Sequence, residues 1–205
     1  MAKPPDGDRK RKAPKLYLVT SDFRFHTAAG VELENLAALG VGNVLLAPRR
    51  KRGFPPLPET PRLLIDKSLG RPPVDWEKFH DFWLVSDRMK SVLETVDGES
   101  VVFLRCETRS LKGGAPVHWL CDVVRRVEVI DEDESTVTVL DDGTDFRRYD
   151  SMAPSNYVFR EDAIGSAHIF RPRFLEQWII CDQGMKDACK AAGLRGMSFT
   201  TQFGY

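Results

Sequence analysis

The chain has 205 residues, of which 42% are apolar, so it can build an ordinary buried core and is not a wholly disordered protein. Thirty Lys and Arg balance thirty Asp and Glu, and the formal net charge of +0 lacks the basic excess typical of nucleic-acid-binding proteins. The basic residues near the N-terminus are followed by no apolar run, and no stretch is long enough for a membrane span. We therefore expect a soluble, cytoplasmic protein with no membrane partner.

The first third of the chain is rich in proline and basic residues. Residues 1–15 hold many charges and few apolar side chains, which predicts a disordered basic tail. Residues 16–73 predict a Pro-rich N-terminal part that either forms a subdomain or wraps the remainder, and residues 74–205 predict the main α+β domain. Within the Pro-rich part we predict strands at Leu16–Thr20, Val44–Ala47 and Arg62–Asp66, a helix at Val31–Leu39, and an exposed loop between Pro48 and Pro61.

The main domain shows strand-like runs separated by amphipathic segments. Strands are predicted at Val101–Cys106 and Val117–Cys121. The alternation of apolar residues between Val123 and Leu140, interrupted by acidic residues, predicts a hairpin with an acidic loop. The fold class expected from these patterns is α+β, with a mainly antiparallel sheet and two packed amphipathic helices.

A weak internal repeat supports this fold class. Residues 82–103 align with residues 177–199 if Gly184 is treated as an insertion, and Trp83 then matches Trp178. Each copy predicts a short strand, an Asp that caps the next segment, and a helix, at about residues 87–96 and 182–192. The apolar stripes that should face the sheet are Met89, Val92, Leu93 and Val96 in the first helix and Met185, Ala188, Cys189 and Ala192 in the second.

The sequence contains no convincing catalytic or metal-binding pattern. The four histidines lack metal-ligand spacing, and the four cysteines form no CxxC pair, so we predict neither a metal site nor a cofactor. Free, buried thiols are the expectation for the cysteines. If the protein is an enzyme, with a site assembled from scattered residues, His168, Cys181 and Asp182 form the best candidate set.

Acidic residues cluster between the predicted strands of the hairpin. Such a cluster is usually a solvated rim, but it can also dock a basic partner, because complementary charge speeds association and improves specificity. The residues in question are Asp131, Glu132, Asp133, Glu134, Asp141 and Asp142. Together they are the predicted surface for a protein partner.

Two basic segments raise the alternative of a nucleic-acid-associated regulator. They are the tail and the run Arg49–Arg52, whose cations could neutralise phosphates. Neither segment is interleaved with aromatic residues that could stack on bases, which argues against a nucleic-acid partner. A steep salt dependence of binding would be the signature of this alternative.

The C-terminal two thirds resembles the immunity proteins of bacterial polymorphic toxin systems, a family formerly known only as a domain of unknown function. The resemblance rests on the order of four segments, which are Asp81–Glu94, His118–Ser135, His168–Arg171 and Gln177–Phe199. Cys121-Asp122 and Arg125-Arg126 depart from the family pattern. The resemblance implies a protein without catalytic residues that binds and neutralises a cognate toxin.

The resemblance also implies roles for individual residues. Toxins of such systems are often nucleases with basic clefts, for which the acidic run Asp131–Glu134 could stand in for phosphate. The motif residues His168, Phe170, Arg171, Trp83 and Trp178 are expected to be structural. Arg171 precedes a proline and so favours extended backbone, which points His168 and Phe170 to one face and Ile169 and Arg171 to the other. We expect Phe170 in the core and Arg171 paired with an acidic neighbour. The sequence does not predict the oligomeric state.

Overall fold

The computed structural model describes residues 15–48, 51–111, 113–114, 116–141 and 147–203. The predicted tail, except Lys15, lies outside these residues, as do Arg49, Arg50 and Asp142. Two α-helices are present among these residues, α1 at Asp87–Asp97 and α2 at Gln183–Ala191. The strands are β1 Leu16–Ser21, β2 Val31–Leu33, β3 Arg62–Ile65, β4 Trp76–Phe79, β5 Phe82–Ser86, β6 Val101–Arg105, β7 Glu107–Ser110, β8 His118–Val123, β9 Arg126–Val127, β10 Val139–Leu140, β11 Arg148–Tyr149, β12 Ile169–Pro172, β13 Ile180–Asp182 and β14 Met197–Thr200.

The strands form four sheets in which antiparallel pairs dominate. The largest has the order β14-β1-β13-β12-β9, and a four-stranded sheet has the order β4-β5-β8-β6. Smaller sheets join β2-β3-β7 and β10-β11. Only the β3–β7 and β9–β12 pairs are parallel among the strands described. The predicted α+β class with a mainly antiparallel sheet is confirmed.

The two large sheets each contain one unit of the same design. In the first unit, β5 and β6 flank β8 and are joined by α1, and in the second unit β13 and β14 flank β1 and are joined by α2. Helices α1 and α2 contact each other. Their buried methionines, Met89 and Met185, lie in one shared cluster with the helix-facing side chains of both sheets, which we call the helix core.

The two units correspond residue by residue without an insertion. Met89 in α1 matches Met185 in α2, and Phe103 in β6 matches Phe199 in β14. Trp83 therefore matches Ile179, and both lie in the helix core. The predicted alignment was wrong to treat Gly184 as an insertion and to match Trp83 with Trp178. It paired two identical side chains and was therefore shifted by one position in this part of the repeat.

The caps of the two helices follow from this register. The Ser86 hydroxyl accepts a hydrogen bond from the Met89 N–H at 3.2 Å, and the Asp182 carboxylate accepts one from the Met185 N–H at 2.9 Å. The prediction of an Asp cap is confirmed for α2 and wrong for α1, where Asp87 is the first helical residue. Both residue types suit the position, because each offers an oxygen to an unpaired N–H of the first turn.

The outer faces of the two units are covered by different parts of the chain. Outside the first unit, Leu84 and Leu120 pack against the Pro-rich part, including Leu39 and Leu45. Outside the second unit, a separate cluster surrounds Phe170. Its other buried members are Leu16, Val129, Ile130, Tyr149, Tyr157, Ile164, Ala167, Leu175 and Ile180. Because side chains alternate between the two faces of a strand, each large sheet contributes to the helix core on one face and to a second core on the other.

Two local predictions in the Pro-rich part were wrong. The predicted helix at Val31–Leu39 is the strand β2 followed by turns, because Val31–Leu33 pairs with β3. The Asn35 side chain accepts a hydrogen bond from the Arg62 N–H at 2.8 Å and thereby ties the turn to β3. The predicted strand Val44–Ala47 is irregular, although Leu45 is fully buried. The segment Val44–Ala47 is therefore held by the burial of Leu45 and not by the hydrogen bonds of a strand.

The predicted hairpin between Val123 and Leu140 was also wrong. Strand β9 instead pairs in parallel with β12, and β10 pairs with β11. Isolated bridges join Ile130 to Phe159 and Thr136 to Asn156. The strands of this region therefore pair with strands distant in sequence and not with each other. Hydrophobic alternation alone does not specify which strand is the neighbour.

Residues 16–21 are not separate from the C-terminal part of the chain, because β1 is the middle strand of the second unit. A close approach also joins the two sheets at Gly196, just before β14. A Cβ atom at this position would overlap the Trp76 carbonyl oxygen of β4, and its φ of +98° suits glycine. The predicted boundary at residue 74 therefore does not apply to residues 16–21. For the remainder of the Pro-rich part it stays a prediction.

Candidate interaction surfaces

The acidic run begins in a turn that is tied down by its own first residue. The Asp131 carboxylate accepts hydrogen bonds from the N–H groups of Asp133 and Glu134, at 3.1 and 3.2 Å. Asp133 and Glu134 are exposed, and their carboxylates have no side-chain partner among the residues that the structure describes. These two groups present negative charge to the solvent.

Glu132 is held differently from its neighbours. Its carboxylate pairs with Arg147 at 2.5 Å and accepts a hydrogen bond from the Tyr149 hydroxyl. The hydrogen bond from Tyr149, and then Arg147, hold the pKa of Glu132 below its usual value. Asp141 is exposed and has an interaction of its own. Glu132 is therefore partly neutralised within the protein, which leaves less free charge than the sequence suggests.

The most deeply buried charges lie elsewhere, around Asp122 of β8. The Asp122 carboxylate is fully buried and pairs with Arg52 at 2.6 Å and with Arg171 at 3.0 Å. It also accepts a hydrogen bond from the Gly53 N–H at 2.7 Å, and Arg52 reaches Asp81 at 3.3 Å. We call these residues the Asp122 cluster. It joins the Pro-rich loop, β8 and β12, so it is structural in position.

The sequence analysis did not identify Asp122 as the centre of this cluster. Its only signal was a charged residue, directly after Cys121, in an otherwise apolar strand. Arg52 was assigned to an exposed basic run, yet only 12% of its side chain is exposed. An isolated charge in a buried strand predicts a partner, but the partner comes from a distant loop that sequence spacing does not reveal.

The motif residues are placed as follows. Phe170 is fully buried in the outer core of the second unit, while its neighbour Ile169 lies in the helix core. Trp83 stacks on Trp76 with ring centroids 4.4 Å apart. Trp178 packs edge-to-face on Tyr157 at 4.9 Å. These contacts are all internal packing contacts.

The candidate enzyme set is only partly assembled. His168 and Asp182 are hydrogen-bonded through Nδ1 and Oδ2 at 2.8 Å. Cys181 is fully buried in the helix core, and burial raises the pKa of its thiol far above the usual value. A thiol that stays protonated is a poor nucleophile, so Cys181 does not complete a nucleophilic site with this pair. The Asp182 carboxylate also caps α2, which gives it a structural role.

Metal binding finds no support in the part of the chain that the structure describes, because no three His, Cys, Asp or Glu side chains there are grouped as ligands. Within the same residues, no helix is long and apolar enough to cross a membrane. Of the basic run, Arg52 points into the Asp122 cluster, while Arg49 and Arg50 lie outside the described residues.

A cleft of about 440 Å³ opens beside the segment that follows β1. Its lining includes Phe25, Val31, Arg71, Glu77 and Phe79. Arg71 and Glu77 form an ion pair inside it. The sequence analysis missed this region; the only signal was Asp-Phe-Arg-Phe after a strand, two aromatic residues around an arginine in a turn.

The sequence was compared with known proteins. A search of curated proteins finds no match. A model of the immunity protein family Imm11 matches residues 6–203, nearly the whole chain. The match extends the resemblance noted in the C-terminal two thirds to the Pro-rich part, whose β1 completes the second unit and whose Arg52 joins the Asp122 cluster. The chain therefore belongs to the Imm11 immunity protein family.

Proposed function

We propose that this protein binds a cognate polymorphic toxin, made by the same bacterium or its siblings, and blocks the activity of that toxin in the cytoplasm. The observation that supports this proposal is the family match over residues 6–203. Inhibition by binding needs a surface of standard size, with buried anchors and a polar rim, and needs no catalytic group.

The toxin in this proposal is a nuclease, and the acidic surface docks on its basic cleft. Exposed carboxylates can occupy the sites where the cleft would bind phosphate groups, and complementary charge speeds association. Asp133 and Glu134 supply this charge, since both are exposed. Asp131 and Glu132 shape and support the turn.

Co-expression with the product of the adjacent gene tests the function. The proposal expects that this product stops growth when expressed alone, that this chain restores growth, and that the two proteins co-purify in a stoichiometric complex at moderate salt. A toxic neighbour that is neither bound nor neutralised would contradict the proposal. The same strain without induction of the toxin serves as the control for general effects on growth.

Charge reversal tests the surface. The pair Asp133→Lys and Glu134→Lys avoids the residues that hold the turn, so it should leave the fold intact and reduce the association rate with the toxin by about tenfold or more. The matched control is the pair Glu32→Lys and Glu107→Lys, which changes net charge equally on the exposed side of the β2-β3-β7 sheet. Equal association rates for the two double variants would remove the acidic surface from the interface.

A further inference from the structure

The turn after β1 exposes a large aromatic side chain to solvent. Residues Phe23–Phe25 form one turn of 3-10 helix, and Phe23 is 82% exposed. Covering an aromatic side chain of this size removes a large apolar surface from water, which favours a partner at this position. The other side chains of the turn, Arg24 and Phe25, are of the types enriched in protein–protein hot spots.

The turn is held rigidly in this exposed arrangement. The Asp22 carboxylate accepts hydrogen bonds from the Arg24 backbone N–H at 3.0 Å and from the Arg24 guanidinium at 2.6 Å. The Asp22 N–H donates to the Gly196 carbonyl at 2.9 Å, which anchors the turn to the start of β14. The ring of His26 stacks on Phe23 with centroids 5.2 Å apart. A side chain fixed in this way loses little entropy when a partner covers it.

The cleft beside the turn combines an apolar wall with unused donors. The guanidinium groups of Arg71 and Arg195 lie 5.2 and 5.0 Å from the Phe25 ring centroid. Arg71 Nε is buried and has no hydrogen-bond partner within the described part of the chain. In those same residues, the side chain of Arg195 contacts the Phe25 ring and no carboxylate. An unpaired buried donor is rare in folded proteins, and Arg71 Nε is such an atom in the cleft lining. Arg195 is exposed and can bind an acceptor that a partner supplies.

Charge near the cleft favours a partner with a carboxylate. The acidic groups there, Asp22 and Glu77, are already paired with Arg24 and Arg71. Asp75 accepts a hydrogen bond from the Arg195 backbone N–H at 2.8 Å, and Lys78 adds a cation to the cleft lining. With Arg195 included, the cations around the cleft outnumber the carboxylates by one. The volume of about 440 Å³ is ample for one or two side chains of a partner.

We propose that the Phe23 turn and the adjacent cleft are a toxin-binding hot spot, which receives a segment of the toxin carrying an apolar side chain next to an Asp or Glu. This inference rests on the proposed function and adds a second contact surface, distinct in composition from the acidic surface. Phe23 packs against the apolar part of the segment, and the carboxylate binds the exposed guanidinium of Arg195 beside the Phe25 ring.

Titration of purified variants with the adjacent gene's toxin, made catalytically inactive, tests the inference. Phe23→Ala should raise Kd by about 30-fold, the size expected for a hot-spot aromatic residue. Arg195→Gln should raise Kd less, and its effect should shrink at high salt because it removes a charge contact. Leu111→Ala is the matched control, since Leu111 is 64% exposed and does not line the cleft. The melting temperature of each variant should match that of the wild type.

The outcomes separate this inference from the proposed function. If the wild-type protein binds the toxin and Phe23→Ala binds equally well, the hot spot is wrong while the proposed function stands. If the wild-type protein does not bind the toxin, the proposed function itself fails. Sedimentation of the free protein tests whether a second copy of the chain covers the turn instead. If the wild type is a dimer, and Phe23→Ala makes it a monomer with unchanged toxin affinity, the turn serves self-association and the inference is overturned.

Discussion

The two β-α-β units share one design around the helix core and differ in what surrounds them. Strand β8 in the first unit and strand β1 in the second hold equivalent registers, so that Trp119 corresponds to Tyr17 and Asp122 to Thr20. On the helix side, the matching positions hold similar residues. Lys90 lies over Phe103 at 5.3 Å and Lys186 over Phe199 at 5.9 Å, a cation–π contact repeated at matching positions.

The differences between the units lie on their outer faces. The first unit carries the buried Asp122, which receives two arginines from other parts of the chain, whereas Thr20 is exposed. His118, buried in the first unit, corresponds to the apolar Leu16 of the second. The shared helix core thus sets the scaffold, and polar residues on the outer face of the first unit attach the covering segments to it.

The largest expected loss of stability comes from a substitution that removes this attachment. Asp122→Ala leaves Arg52 and Arg171 buried without their carboxylate and should lower the free energy of unfolding by about 3–5 kcal/mol. Chemical denaturation measures this change. The matched control is Thr20→Ala, at the equivalent exposed position, which should change stability by no more than about 0.5 kcal/mol. Similar effects of the two substitutions would show that the Asp122 cluster adds nothing to the attachment.

A smaller effect sharpens the comparison of the helices. Ser86→Ala and Asp182→Ala each remove an N-cap and should each cost about 1 kcal/mol of stability. Each cap has a second partner, Asp75 for Ser86 and His168 for Asp182. We expect the larger loss for Asp182→Ala, because only Asp182 places a negative charge at the helix N-terminus. Urea denaturation distinguishes them, with Ser91→Ala on the exposed side of α1 as the control. A smaller loss for Asp182→Ala than for Ser86→Ala would contradict the assigned caps.

The smallest effect concerns pH and the buried histidine of the first unit. Burial lowers the pKa of His118 below its usual value near 6.5, so the unfolded chain takes up a proton more readily. This contribution to stability is fully present above pH 6.5 and is lost as the pH falls below it. His118→Leu, which copies Leu16 of the second unit, should flatten the fall of melting temperature between pH 7.5 and 5.5, roughly the range over which the charge changes.

The matched control for this pH dependence is His26→Gln, because His26 is exposed. That variant should retain the wild-type dependence of melting temperature on pH over the same interval. An unchanged slope in His118→Leu would show that another group causes the acid destabilisation. Measurements at constant ionic strength avoid changes from screening of the surface charges.

Local patterns in the sequence determined the secondary structure of the two units. The stripes through Met89 and Met185 placed α1 and α2 correctly, because apolar residues at helical spacing need one buried face. The β-branched and aromatic run from Leu16 placed β1, because such side chains favour extended strands. The order of motifs also pointed to an immunity family, and the match over residues 6–203 shows that family.

Only the tertiary structure decided which strands pair and where charges lie. The hairpin expected between Val123 and Leu140 gave way to distant partners, because alternation specifies a buried face and leaves the neighbour open. Arg52, a member of a basic run in the sequence, became the buried partner of Asp122. Long-range contacts of this kind depend on how loops fold back over a sheet, and the same folding exposed Phe23 beside its cleft.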